Sequence, residues 1–156
     1  MSIEILVFEV AGQHFGVRAA DVVQVLRAVS LSPLPQSPAV IEGLLNLRGC
    51  LVPVLDTRKL FGLPPRELRH TDHFIVVVAG GQVVTLHVDQ ATDLVSLERD
   101  PPEAAPAEGR GQLLEFVGKT SAGLVHVLDL PCLLCDQAAR VVVESLAGRT
   151  ATEVPR

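Results

Sequence analysis

The sequence predicts an all-β protein made of two small barrels that share a core, and three observations carry that prediction. Most of the 156 residues fall into short runs rich in Val, Leu and Ile, separated by Gly, Pro or charged turns. Few stretches hold a helical period over a dozen residues. Runs such as Phe74-Ile75-Val76-Val77-Val78-Ala79 are apolar on both faces, so they belong between two packed layers and not in one wet sheet. Ala11-Gly12 and Gly80-Gly81 separate pairs of such runs and supply residues that tolerate positive φ, as tight hairpins require.

Taken in order, the chain opens with a hairpin of strands at 4–10 and 13–17 around Ala11-Gly12. A helical turn at 19–21 leads to a strand at 22–28, and a second at 38–41 precedes strands at 42–47 and 50–55. A third helical turn, 57–61, stops at Gly62 as a C-terminal cap. Strands follow at 74–79, 82–88, 91–97, 113–118 and 123–128, with a last helical turn at 131–134. Residues 98–112 are rich in Pro, Gly, Ala and charge and read as a solvated connector. One domain over 1–137 is expected, and then a short C-terminal segment, 138–156, partly ordered at most around Val141-Val142-Val143.

Composition narrows the function. With 48% hydrophobic residues the chain can bury a substantial core. Aromatics are 3%, with no Trp or Tyr, so Val and Leu must do the packing and no stacking surface for single-stranded nucleic acid is available. A formal charge of −5 with scattered basic residues also argues against nucleic acid and leaves proteins as partners. The N-terminus lacks a basic region followed by an apolar one, and no apolar stretch approaches the roughly 18 residues of a spanning helix, so no membrane insertion and a cytoplasmic location are expected. Three cysteines, an odd number, fit reduced thiols.

Cys132-x-x-Cys135 lacks both the strand-to-helix context of a redox motif and further zinc ligands at suitable spacing, and the histidines show no metal-site grouping except His70-x-x-His73, which sits beside a loop. His87 and Asp89 share a strand face, but Ser96, Ser121 and Ser145 stand in no nucleophile context and no phosphate loop is present. The expectation is therefore no enzyme, no cofactor and no metal, with Asp89 capping the turn that follows it.

The most informative run is Glu42-Gly43-Leu44-Leu45-Asn46-Leu47-Arg48-Gly49, followed by Leu51-Val52-Pro53-Val54-Leu55-Asp56. It sets one Arg between two glycines amid apolar strand residues. Such a guanidinium either braces the fold, through a turn carbonyl or Glu42, or is presented to a partner. Gly43 and Gly49 permit positive φ or a close backbone approach.

This run resembles the signature of the CheW family of bacterial chemotaxis coupling proteins. So do the N-terminal hairpin, the segment from Asp21 to Leu26, Pro33-Leu34-Pro35, the stretch Asp56 to Gly62, and the strands ending at Asp89 and Leu130. The resemblance implies two five-stranded SH3-like barrels that exchange terminal strands. It also implies a non-catalytic adaptor between the cytoplasmic domain of methyl-accepting chemoreceptors and the regulatory domain of a CheA-type histidine kinase, recruited to receptor arrays. Its protein-binding residues would be Val22, Gln24, Val25, Leu26, Glu42, Gly43, Asn46, Arg48, Gly49 and Thr85. Gln24 replaces a common Glu and would hydrogen-bond to Arg48; Thr85 replaces a common Gly, and Glu115 a common aromatic residue. These departures bear on kinase engagement more than on receptor engagement. The alternatives are an accessory protein that binds receptors but not the kinase and, remotely, a thiol-dependent redox or metal-binding protein.

Overall fold

The computed structural model describes residues 2–36, 38–98, 114–121 and 123–134. The described residues form ten strands: β1 (Ser2–Val10), β2 (Gln13–Arg18), β3 (Val22–Arg27), β4 (Ile41–Leu47), β5 (Cys50–Asp56), β6 (His73–Ala79), β7 (Gln82–Val88), β8 (Gln90–Glu98), β9 (Leu114–Thr120) and β10 (Gly123–Leu128). Each matches an expected strand to within two residues. The helical turns at Ala19–Asp21 and Leu130–Leu134 are 3₁₀, and α1 (Thr57–Phe61) is a single α turn. The helical turn expected at 38–41 is not formed. A hydrogen bond from Ile41 N to Pro38 O closes a plain turn there, because Ile41 already begins β4. The connector from 99 to 112 and the tail from 138 to 156 lie outside the described residues.

The strands form two five-stranded sheets, ordered β8-β1-β2-β10-β9 and β3-β6-β7-β5-β4. The first barrel thus combines both ends of the described chain, and the second is one continuous segment inserted between β2 and β8. Among the described residues no one-for-one exchange of terminal strands occurs. Each barrel is closed by the approach of its edges. In the first, Leu97 of β8 joins Ile5, Val7, Phe116, Val125 and Val127 in one interior cluster. In the second, Ser32, downstream of β3, forms a bridge with Leu44 of β4, each amide donating to the other's carbonyl at 2.9 and 2.8 Å.

That closure explains Gly43. A Cβ there would stand 2.9 Å from both Leu31 Cβ and Ser32 O. Gly49, by contrast, is used for its φ of 89°.

Three cores result. One fills each barrel, and the largest lies between them, where Phe8, Phe15, Leu55, Ile75, Val77 and Leu86 pack together. β6 shows why its run is apolar on both faces: Phe74 and Val76 point into the second barrel while Ile75 and Val77 point into the junction.

Candidate protein-binding site

β3 is an edge strand, and its pairing with β6 is interrupted at Val23. The register runs Val22 with Val77, then Gln24 with Val76, Val25 with Ile75 and Leu26 with Phe74. Cross-strand partners share a face, so the bulge puts Val22 and Val25 together on the junction side and Gln24 and Leu26 on the barrel interior side. Val22 packs on the junction core, whereas Val25 beside it is 41% exposed and Val23 is 54% exposed. The junction core therefore continues outward as open apolar surface along this edge. Leu26 packs on the second barrel's interior and contributes to the core.

The signature run forms the β4–β5 hairpin, and its turn is Arg48-Gly49, with φ of 53° and 89°, the pattern of a type I′ turn. Asn46 Oδ1 accepts a hydrogen bond from Gly49 N at 2.8 Å and braces that turn. Arg48 is exposed and makes no hydrogen bond or ion pair with any described residue. Of the two roles open to it, bracing has gone to Asn46. The expected contact with Gln24 is absent among the described residues: Gln24 lies on the barrel interior side of β3, whereas Arg48 stands on the exposed β4–β5 turn. Pairing with Glu42 is also overturned, because Glu42 binds His87. Gly43 is buried and Thr85 is 0% exposed, so neither offers surface to a partner. The Thr85 hydroxyl lies inside the second barrel without a hydrogen-bond partner among the described residues.

Behind the hairpin runs a chain of charges that the sequence did not announce. His87 Nδ1 lies 2.7 Å from Glu42 Oε1, and its Nε2 lies 2.7 Å from Asp72 Oδ2. Arg66 donates to Asp72 at 2.9 Å and to Asp89 at 2.7 Å, and Arg58 donates to Asp89 at 2.7 Å. Asp89 also accepts from Ala11 N at 2.9 Å, in the β1–β2 turn of the other barrel. It thus ties the barrels together and does not cap its own turn. Burial alone would lower the His87 pKa, but Glu42 and Asp72 hold it above the ordinary 6.5. Burial alone would raise Asp72 and Asp89. Hydrogen bonds from Arg66, the Arg69 amide and His87 to Asp72, and from the Ala11 amide, Arg66 and Arg58 to Asp89, keep both below 3.8. The readable signal was His87 and Asp89 on one strand face; Arg66 and Asp72 come from a segment without periodicity.

Asp56 accepts from Arg58 N and Lys59 N as the N-cap of α1, and Gly62 closes the turn at φ 68°. Glu115 forms an ion pair with Arg18, which gives it a place inside the fold. Cys50 is a free thiol on β5, Cys132 lies on the last 3₁₀ turn, and Cys135 lies outside the described residues. No helix among the described residues is long and apolar enough to cross a membrane.

With this arrangement in view, comparison with known proteins is decisive. The family model described as CheW-like domain matches residues 4–138. The chain belongs to the CheW family. Among CheW-family relatives, the chemotaxis protein CheW of Bacillus subtilis is 24% identical over 147 residues, covering 92% of this chain and 94% of that protein. The chemotaxis protein CheW of Thermotoga maritima is 32% identical over 128 residues, covering 81% and 84%. The crystal structure of the scaffolding protein TtCheW from Thermoanaerobacter tengcongensis superposes with a TM-score of 0.75 at 30% identity, covering 86% of this chain and 93% of that one. The two five-stranded sheets are those of a CheW-type pair of SH3-like subdomains.

Proposed function

We propose that this CheW-family chain is a non-catalytic chemosensory adaptor that couples the cytoplasmic tip of a chemoreceptor to a CheA-type histidine kinase. The observation that carries the receptor half is the β3 edge, where the junction core runs out into exposed Val25 and Val23. A helical hairpin presenting apolar side chains would continue that core, as interface centres do. Arg48, displayed on a braced turn, and Asn46 and Glu42 on β4 supply polar register around it. An Arg held on a type I′ turn loses little backbone entropy when a partner docks. A second surface takes the regulatory domain of the kinase, and the protein works in the cytoplasm within receptor arrays. Coupling then rests on unequal affinity for the two signalling states of the receptor.

Support comes from the family membership and from the names of relatives: chemotaxis proteins in B. subtilis and T. maritima, a scaffolding protein in T. tengcongensis. The test is a pair of calorimetric titrations, against a cognate receptor cytoplasmic fragment and against the kinase regulatory domain. Binding to both is expected. Binding to the receptor alone identifies the accessory protein that modulates clustering, and binding to neither removes the adaptor reading.

A further inference from the structure

We infer that His87, only 8% exposed, is a positioning residue for Glu42 and acts as the imidazolium. The inference deepens the adaptor reading, since Glu42 lies on β4, the strand whose far end carries Asn46 and Arg48.

The hydrogen-bond count demands it. Both ring nitrogens face carboxylate oxygens at 2.7 Å, and a carboxylate offers only acceptors. Two N–H donors on one imidazole exist only in the charged ring. A neutral ring sets a lone pair against one of the two acids, and the surroundings decide which. Asp72 is 3% exposed and is held by Arg66 and by the Arg69 amide, both at 2.9 Å. Glu42 is 21% exposed and lines an open cleft of about 360 Å³ together with Asp56, Lys59 and Arg66. Loss of the proton therefore keeps the Nε2–H bond to Asp72 and frees Glu42 to turn toward the cations of the cleft.

Among the described residues the charged groups around His87 are few. Glu42 approaches from β4, and Asp72, with Arg66 behind it, from the segment before β6. β6 presents the Phe74 ring, edge-on with its centroid at 5.6 Å. On the β5 side, Asp56 lines the cleft and its carboxylate is engaged by the amides of α1.

Two measurements on the whole protein test this. Ring-nitrogen NMR should show both His87 nitrogens protonated at pH 6, and the Glu42 carboxyl carbon should shift together with His87 as pH rises. A single neutral tautomer at pH 6, or a Glu42 signal that ignores the His87 titration, overturns the inference. Calorimetric titration of a receptor cytoplasmic fragment between pH 6.5 and 9 should weaken about three- to tenfold, the weight of one side chain no longer ordered before docking. A His87→Asn variant should give a flat profile. Intact binding with no pH dependence in the unmodified protein contradicts the positioning role. Absence of binding at every pH tells against the receptor reading alone, and the NMR result then decides the role of His87.

Discussion

Arg48 holds a φ of 53°, a region that costs a residue with a Cβ about 1 to 2 kcal/mol, yet its side chain makes no hydrogen bond or ion pair with the described residues. A turn kept at that expense, where Asn or Gly would be unstrained, points to a use for the guanidinium. Arg48→Ala should stay folded and weaken receptor binding by about 1 to 3 kcal/mol, read by calorimetry. Arg48→Asn should raise the urea midpoint, by about 0.5 to 1 kcal/mol in stability, while losing the same affinity; a variant with unchanged affinity would make Arg48 a bystander. Thr85→Val should stabilise by about 1 kcal/mol, because it removes a buried hydroxyl that has no partner among the described residues. Equilibrium urea unfolding checks that change. At this scale the sequence was partly legible. Positive φ or close approach were the two uses open to its glycines, and Gly49 shows the first and Gly43 the second. Thr85 could not be placed, because whether a strand residue faces solvent or a second barrel depends on packing that its own strand does not encode.

The elements expected from turn dipeptides and apolar runs are all present as strands, since both signals are local. What sequence could not supply is register. The bulge at Val23 puts Val22 and Val25 on one face, whereas strict alternation would separate them. The charge chain was hidden for a related reason: Glu42 and His87 are 45 residues apart, and nothing in either segment announces the other. Barrel closure gives a direct test. Gly43→Ala drives a methyl against backbone at Ser32 and against Leu31 Cβ, and should cost about 1 to 3 kcal/mol in urea unfolding. A neutral effect would mean the β4 edge is not pressed on that segment. The charge chain sets the pH dependence. His87 is raised above 6.5, so its contribution is complete below that value and is lost as pH rises through its folded pKa. Asp72 and Asp89 are lowered below 3.8, so theirs is complete above that value and is lost as pH falls through their folded pKa values. Urea midpoints should therefore be highest between about pH 4 and 6.5 and decline on both sides, with His87→Asn abolishing the alkaline decline.

Over the whole molecule the two barrels are less separate than their sheets suggest. The largest core lies between them, and Asp89 bonds the β1–β2 turn of one barrel to arginines of the other. A single unfolding transition is expected, with circular dichroism and hydrogen exchange of β1 and β6 amides giving one midpoint. The shared core was foreseeable from strands apolar on both faces. The discontinuous make-up of the first barrel was not, because strand order is a long-range property. A pair of barrels joined by a shared core suits an adaptor, which must hold two partners in fixed relation. That property is tested most directly by sedimentation of the protein mixed with both the receptor cytoplasmic fragment and the kinase regulatory domain. One boundary containing all three chains is the predicted result. Two binary complexes that displace each other would contradict coupling through this molecule.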